Sequence, residues 1–305
     1  MDPKKFRALL NFTSWPLSWV NPKIRLALAR NIPSQAFHTI LDPNSINGRY
    51  RNRFGDVDKE IILSDGAKLL VNINEMIGYR SALNRTWDMT TLHVAELMKF
   101  ENLHYVDVGA NIGTTLIPIA KRGCRCVAFE PNLDVAWRLL VNLNNNFYSK
   151  VEINLTALGE YALEGSWLPM QLNLGNSGAV SLILTDKSRK SEKLVMINSM
   201  DSALSLDFSN SLRSSKGKLL IKIDVEGFEA NVIRGGLKTI REFNPVIILE
   251  QNPREEFQNA LEELRKIGYN FFTIKEDLRL GPIDPHTRYE NIIAVPIWAR
   301  DLFST

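Results

Sequence analysis

The sequence predicts an α/β protein built on a mostly parallel β-sheet with helices on both faces. From residue 104 onward, apolar strand-like segments alternate with helical segments, which is typical of such sheets. A glycine-rich segment, Asp107–Thr115, joins the first of these strands to the first helix. Hydrophobic residues make up 45% of the 305 residues and charged residues 23%. This composition indicates a sizeable core and excludes a disordered, collagen-like or coiled-coil chain.

The region ahead of this alternating pattern predicts short helices and one hairpin. Residues 1–40 have a helical pattern that is interrupted by three prolines, Pro16, Pro22 and Pro33. An Asp65-Gly66 pair between two apolar runs predicts a β-hairpin. Residues 89–100 predict a further helix. These elements predict an N-terminal extension.

We therefore expect two domains, a helical and hairpin extension over residues 1–100 and the principal domain over residues 101–305. Residues 1–55 contain nine Lys/Arg and two Asp/Glu. A basic segment of this kind can contact a membrane surface, a nucleic acid or an acidic glycan, or it can be a solvated helical extension. The basic residues are dispersed rather than blocked, which favours the solvated extension.

Cysteine content and hydropathy predict a cytoplasmic protein. The chain has two cysteines, Cys124 and Cys126, too few for a disulfide-stapled secreted scaffold. No apolar run approaches the roughly 18 residues that span a bilayer. The first residues are basic but have no long apolar core and no small-residue cleavage site, so we expect no signal peptide. The oligomeric state is left open.

The principal domain is predicted element by element from its apolar segments. The predicted strands of the sheet are His104–Val108, Arg125–Phe129, Val151–Thr156, Lys218–Ile223, Pro245–Leu249, Phe271–Ile274 and Asn291–Val295. The helices that follow the first two strands and the fifth are predicted at Thr114–Arg122, Leu133–Asn144 and Arg254–Ile267. Residues 165–200 predict an inserted β region.

The glycine-rich turn predicts a nucleotide-like cofactor site at the edge of the sheet. Gly109 and Gly113 permit a tight turn and close approach of a ligand to the backbone. Glu130 ends the second strand, where a carboxylate can accept hydrogen bonds from both hydroxyls of a ribose. The spacing differs from the G-x-G-x-x-G of dinucleotide sites, and the nearby Asp107 would repel a pyrophosphate. The residues therefore favour S-adenosylmethionine over a dinucleotide.

Five segments then resemble the FkbM family of S-adenosylmethionine-dependent methyltransferases: VDVGANIG, FEPN, ALG, LIKIDVEGFE with a following GG, and IILE. The match covers about residues 104–252, and IKIDVEGFE is its most specific piece. The resemblance implies a Rossmann-like class I methyltransferase fold, a seven-stranded sheet with the last strand antiparallel. It also implies methyl transfer, usually to a hydroxyl of a sugar or natural product.

The same resemblance implies cofactor-binding roles for seven residues. At the methionine end it places Asp107, Gly109, Asn111 and Gly113. It implies that Glu130 holds the ribose, and that Asn132 and Ala157 lie near the adenine.

An acidic cluster after the fourth strand supplies the candidate catalytic residues, Asp224 and Glu226. Strand alternation places Lys222 and Asp224 on one side, and Glu226 with them if the strand continues. A carboxylate at this strand end can orient or deprotonate an acceptor hydroxyl. The alternative is that Asp224 and Glu226 cap the next helix, which should begin near Phe228. Lys222 is expected to pair with a nearby carboxylate.

A magnesium ion is an alternative at the same strand ends, although it is not favoured. Asp224, Glu250 and Asn252 offer three oxygen donors that could lower the pKa of a hydroxyl. Hydrogen-bonded loop ends explain the same residues without a metal, so we predict no metal site.

The expected partner is a small-molecule or glycan acceptor, and three functions compete. The leading one is O-methylation of a sugar, glycan, glycolipid or natural product. A nucleic-acid methyltransferase is the second, disfavoured because acidic Asp224-Val-Glu-Gly stands where base-methylating enzymes carry a proline-and-aromatic loop. The third is a binding protein that keeps the fold without catalysis. Peripheral membrane contact through the basic segment is a further alternative.

Overall fold

A computed structural model describes residues 58–72, 75–146, 150–173, 176–181, 192–251, 255–275, 279–284, 287 and 289–303. These residues all belong to one compact unit of the chain, residues 57–305. The predicted helices of residues 1–40 and the basic segment over residues 1–55 lie outside the described residues.

The described residues form these strands and helices. The strands are β1 (Asp58–Ile62), β2 (Lys68–Asn72), β3 (Leu103–Val108), β4 (Arg125–Phe129), β5 (Val151–Asn154), β6 (Ala157–Leu158), β7 (Trp167–Asn173), β8 (Asn176–Ser181), β9 (Glu192–Asn198), β10 (Lys218–Ile223), β11 (Val246–Glu250), β12 (Asn270–Ile274), β13 (Leu280–Pro282) and β14 (Asn291–Val295). The helices are α1 (Met76–Asn84), α2 (Met89–Leu97), α3 (Leu116–Lys121), α4 (Leu133–Asn145), α5 (Met200–Ala203), α6 (Leu206–Ser214), α7 (Glu229–Gly235), α8 (Leu237–Phe243) and α9 (Glu255–Lys266).

The central sheet has the strand order β13-β12-β14-β11-β10-β3-β4-β5. The five strands from β11 to β5 are parallel, and β14 is antiparallel to both of its neighbours, β11 and β12. This confirms the Rossmann-like class I methyltransferase fold that the resemblance implies. The sheet has eight strands rather than seven, because β13 adds an antiparallel edge strand beside β12. Its three residues, Leu-Gly-Pro, are too short for an apolar pattern.

Side-chain alternation on the central strands builds a separate core on each face of the sheet. On β3, Tyr105 packs with residues of α2, α3 and α4, whereas Val106 and Val108 pack with residues of α6 to α9. Phe257 of α9 is completely buried in the second core. Burial of a side chain of this size stabilises the fold by roughly 1.5–3 kcal/mol.

The hairpin of β1 and β2 belongs to the first of these cores. Leu69 and Val71 are completely buried in it. The side chain of Asn142 on α4, also completely buried, accepts a hydrogen bond from Leu70 N. The same amide donates to Leu70 O at 3.2 Å and to Ile112 O at 2.9 Å. Asn142 therefore connects the hairpin to the loop that follows β3.

The hairpin, the predicted helices from residue 89 onward, the seven predicted strands and the inserted β region are confirmed with small shifts of their boundaries, whereas the division into domains at residue 100 stays a prediction. The inserted β region forms a four-stranded sheet of order β6-β9-β7-β8. Cys124 and Cys126 are both buried free thiols, as core residues should be. Among the helices in the described ranges, none has the length and apolar character needed to cross a membrane.

Candidate active site

A cavity opens where β3, β4, β10 and β11 reach their carboxyl ends, the edge at which open α/β sheets bind ligands. Its empty volume is about 940 Å³, including the part open to solvent. Residues of the glycine loop, the end of β4, β6 and the segment after β10 line it. Ile77 of α1 and Trp87, between α1 and α2, add an apolar side to the wall. The cavity therefore receives residues from both the sheet and the preceding helices.

The glycine loop is fixed in place by contacts that exclude side chains. Gly109 has φ +84°, and a Cβ atom added to it would lie 2.0 Å from the carbonyl oxygen of Asp224. The N–H groups of Gly109 and Ala110 both donate to Phe129 O, at 2.9 and 3.0 Å. Asn111 is also left-handed, with φ 52°, and its Oδ1 accepts from Ile112 N at 2.8 Å. The loop is thus held against both neighbouring strand ends.

Glu130 is buried at the end of β4, and its carboxylate holds two backbone amides. Its Oε2 accepts from Asn111 N at 2.9 Å, and its Oε1 accepts from Asn132 N at 2.8 Å. Burial raises the pKa of Glu130 to about 7, although both hydrogen bonds favour the charged form. Each carboxylate oxygen has a second lone pair, so Glu130 can still accept hydrogen bonds from the cavity that it lines.

Asp107 lies behind the cavity wall instead of on it. Its side chain is completely buried, and its Oδ2 accepts from Thr115 Oγ1 at 2.8 Å. Its Oδ1 has no hydrogen-bond partner among the described residues. Burial raises the pKa of Asp107, while the charge of Lys222 on the neighbouring strand opposes that shift. The arrangement makes Asp107 a buried neighbour of Lys222, and its predicted contact with the methionine end stays a prediction.

Lys222, which is buried, and Asp224, which is partly exposed, form an ion pair at the end of β10. Lys222 Nζ donates to Asp224 Oδ2 at 2.7 Å, which confirms that the two side chains share one side. Burial alone would lower the pKa of Lys222, but the charges of Asp224, Asp107 and Asp88 raise it above its ordinary value. Lys222 is therefore charged and is held among three carboxylates.

Glu250, at the end of β11, supplies a second carboxyl group beside Asp224. The two groups are hydrogen-bonded. Burial and the charge of Asp224 raise the pKa of Glu250 well above its usual range. Against the effect of burial, Lys222 and the Glu250 hydrogen bond hold the pKa of Asp224 below its usual value. The two opposite shifts favour a pair in which Glu250 keeps its proton and Asp224 stays charged.

Glu226 reaches the cavity from a tight turn. Phe228 N donates to Val225 O at 3.4 Å, and both central residues have positive φ, 52° at Glu226 and 102° at Gly227. Phe228 is the N-cap of α7. The alternative in which Asp224 or Glu226 occupies that cap is therefore wrong, and both side chains instead line the cavity.

The structure brings most of the predicted site residues to this one cavity. Six of them line it: Gly109, Asn111, Glu130, Ala157, Asp224 and Glu226. The other three lie behind the wall: Asp107, Gly113 and Asn132. The side chain of Asn132 caps α4 by accepting a hydrogen bond from Asp134 N at 3.2 Å. The sequence reasoning missed the wall residues Ile77, Val225 and Phe228. Val225 and Phe228 both lie within the IKIDVEGFE motif, which is the signal that could have identified them.

Two of the three oxygen donors considered for the magnesium alternative, Asp224 and Glu250, lie beside each other at the cavity wall. No group of three or more His, Cys, Asp or Glu side chains in the described part of the chain is arranged to hold a metal ion. Asn252 lies outside the described residues. The ammonium group of Lys222 occupies the position beside Asp224.

Comparison with solved structures finds methyltransferases. The FkbM methyltransferase structure from Methylobacillus flagellatus KT is 18% identical, with 63% of this chain and 42% of that chain aligned and a TM-score of 0.40. The Pyrococcus abyssi tRNA (uracil-54, C5)-methyltransferase, in complex with S-adenosyl-L-homocysteine, is 16% identical over 79% and 44%, with a TM-score of 0.40. This chain therefore spans less than half the length of either protein. No curated protein sequence gives a significant match.

Comparison with family models gives one match, to the methyltransferase FkbM domain over residues 107–271. The matched segment is more than half of the chain. It runs from the glycine loop through Glu130, Asp224 and the Val225–Phe228 turn into β12. It therefore contains most of the residues that line the cavity. The chain therefore belongs to the family of the methyltransferase FkbM domain.

Proposed function

We propose that the chain uses S-adenosylmethionine to methylate a hydroxyl group on a sugar, a glycan, a glycolipid or a natural product. The observation that carries this proposal is the composition of the cavity wall. The wall joins the glycine loop and Glu130 to three further acidic residues, Asp224, Glu226 and Glu250.

The residues of this wall fit the cofactor. At Gly109 the space that a Cβ would fill is taken by Asp224 O, so only glycine lets the loop line the cavity while it packs against the segment after β10. Glu130 would accept hydrogen bonds from the ribose hydroxyls, Ala157 would adjoin the adenine, and Asn111 would lie at the methionine end. Asp107, Gly113 and Asn132 would hold these residues from behind. When bound, the cofactor supplies an electrophilic methyl group on a positively charged sulfur.

The acidic groups suit the acceptor half of the reaction. Asp224 keeps its charge because Lys222 and Glu250 both donate to it. It is therefore better suited to accept a hydrogen bond from the acceptor hydroxyl than to take up its proton. Glu226 offers a second carboxylate on the same wall that can receive the proton as the oxygen–methyl bond forms.

The charge of the wall supports an acceptor without phosphate groups. Four carboxyl groups line the cavity, and among the described lining residues the single basic side chain, Lys222, is already paired with Asp224. The described lining residues therefore offer a phosphate group no unpaired cation, and the charged carboxylate of Asp224 opposes its approach. Trp87 and Ile77 offer an apolar surface on which the ring of an acceptor can pack.

Two measurements test this proposal on the full chain. Calorimetry should detect binding of S-adenosylhomocysteine and no binding of NAD. Incorporation of labelled methyl groups should then be screened with sugars, glycolipids, polyketides, tRNA and rRNA as acceptors. NAD binding without S-adenosylhomocysteine binding would contradict the cofactor. Methylation of RNA alone would contradict the acceptor class and support the nucleic-acid alternative.

A further inference from the structure

The turn that carries Glu226 has an unfavourable backbone for its sequence. Val225–Phe228 has positive φ at both central positions, which is the pattern of a type I′ turn. Such turns favour Gly, Asn or Asp at the first central position, because Gly has no Cβ to approach the backbone and the short side chains of Asn and Asp offset that contact with local hydrogen bonds. Here that position is Glu226, at φ 52°. The surrounding structure must therefore hold this conformation in place.

Glu229 makes the contact that holds it. This residue begins α7, and its side chain is 1% exposed. Its Oε1 accepts a hydrogen bond from Gly227 N, the second central residue of the turn, at 3.0 Å. Its Oε2 is buried with no hydrogen-bond partner among the described residues. Glu229 does not line the cavity, whereas Val225, Glu226 and Phe228 do.

We propose that Glu229 is a positioning residue of the candidate site, because its carboxyl oxygen holds the Val225–Phe228 turn in the conformation that presents Glu226 to the cavity. The inference rests on the proposed function for its effect on catalysis. Burial of a carboxyl group is costly, and burial raises the pKa of Glu229 to about 7. A carboxyl group that served only as a favourable first-turn charge would avoid that cost by remaining exposed.

The competing explanation is that Glu229 merely starts its helix. A helix-start role predicts that its loss lowers stability and nothing else. A positioning role predicts that turnover falls when the acceptor oxygen is lost and recovers when that oxygen is restored. Ser199 gives a matched control, because it is also a buried residue at the start of a helix. It is the N-cap of α5, it is completely buried, and its Oγ accepts a hydrogen bond from Ser202 N at 3.2 Å. It does not line the cavity.

The experiment compares Glu229→Ala, Glu229→Gln and Ser199→Ala with the parent protein. Hydrogen exchange of the segment Val225–Phe228 reports whether the turn is held. The kcat and KM for the acceptor found in the screen, and calorimetry with S-adenosylhomocysteine, report the state of the site. Melting temperatures report stability.

We expect Glu229→Ala to lose exchange protection in the turn and to lower kcat by about tenfold to a hundredfold. Glu229→Gln keeps an acceptor oxygen, so it should restore protection and return kcat to within about threefold of the parent. Ser199→Ala should melt earlier without either change. Protection in Glu229→Ala equal to the parent's, or a kcat equal to that of Ser199→Ala, would overturn the inference.

Failure of the proposed function would look different. A parent protein that binds no S-adenosylhomocysteine would contradict the cofactor assignment. In that case the exchange measurement still decides the inference, since retained protection in Glu229→Ala overturns it and lost protection that Gln restores supports it.

Discussion

At Glu130, the fold buries a carboxyl group between the backbone amides of Asn111 and Asn132. Burial raises its pKa from 4.5 to about 7, so the folded protein holds this proton more tightly than the unfolded chain does. The contribution of Glu130 to stability is therefore present below pH 4.5 and is lost as the pH rises to about 7. Burial also raises the pKa of Glu229 to about 7, so its contribution to stability is likewise lost as the pH rises to that value.

Glu130→Gln should reduce this pH dependence of stability. The variant cannot release the proton, so the fall in the free energy of unfolding between about pH 5 and 8 should be smaller by about 2–3 kcal/mol. Urea denaturation of both proteins at the two pH values measures this difference. A pH dependence identical to the parent's would mean that Glu130 titrates at its ordinary pKa in the folded protein.

Asp224→Asn tests the acidic cluster separately from the cofactor. Asparagine keeps the shape but loses the charge that Lys222 and Glu250 stabilise. We expect S-adenosylhomocysteine affinity to be retained and turnover to fall by about 10–10²-fold, the loss of one hydrogen bond from the acceptor hydroxyl to a charged group. Calorimetry and initial rates on the same preparations measure the two quantities. Turnover at the parental level would remove Asp224 from the mechanism and leave Glu226 as the candidate.

The sequence located those site residues that stand in a recognisable local pattern. Gly109 and Glu130 occur at strand ends within recognisable segments, and Asp224 follows an apolar strand. The hydrogen bond between Asp224 and Glu250 depends on two strands that pair only in the folded sheet. Ile77 likewise reaches the cavity from a helix outside the predicted domain. Such contacts are properties of the tertiary structure and have no local pattern.

At the scale of elements, the glycine loop and the Asp224 segment are in direct contact. The N–H of Asp224 donates to Val108 O at 3.0 Å, and the carbonyl of Asp224 lies against Gly109. The loop after β3 and the segment after β10 are therefore fixed relative to each other. Substitution at position 109 must disturb both segments.

Gly109→Ala should be far more costly than an equivalent change elsewhere. The new Cβ would lie 2.0 Å from Asp224 O, on a backbone with φ +84°. We expect a loss of about 3–5 kcal/mol in the free energy of unfolding, the sum of strain and overpacking. Gly123→Ala is the control, because Gly123 has φ +88° but no atom within 4 Å of the added Cβ. It should cost about 1–2 kcal/mol. Equal losses in urea denaturation would show that the contact with Asp224 adjusts freely.

Strand and helix boundaries differ in how well the sequence predicts them. The strands β10 and β14 were located to the residue, because burial leaves an apolar run of three or four residues within each, Leu219–Ile221 and Ile292–Val295. The third strand ends at Asn154 instead of Thr156, and β13 was missed. Both differences lie at the edges of the sheet, where fewer neighbours constrain the sequence.

At the scale of the whole molecule, the hairpin is packed as part of the sheet's own core. Leu69 and Val71 are completely buried beside residues of α4, and Asn142 binds the backbone of Leu70. Full burial of each apolar side chain contributes roughly 1.5–3 kcal/mol, which is a large share of the 5–15 kcal/mol that stabilises a typical domain. The predicted boundary at residue 100 would separate the hairpin from this core.

We therefore expect residues 57–305 to unfold cooperatively and residues 101–305 to lack a cooperative transition. The shorter fragment exposes the core surface under β2 and leaves the buried side chain of Asn142 without Leu70. Circular dichroism melts of the two fragments make the comparison. A fragment of residues 101–305 that melts at the same temperature as residues 57–305 would show that the hairpin adds no stability.

The two buried cysteines can be used to measure how often the folded protein opens. Cys124 and Cys126 are 2% and 0% exposed, and burial raises the pKa of both thiols, that of Cys124 to about 11. A thiol reagent therefore has no reactive thiolate to attack in the native protein. Its labelling rate measures how often β4, the strand beside the edge strand β5, opens together with the core that covers it. For the same reason, one cysteine introduced at the cavity rim would carry a fluorophore or spin label alone, without prior removal of the natural thiols.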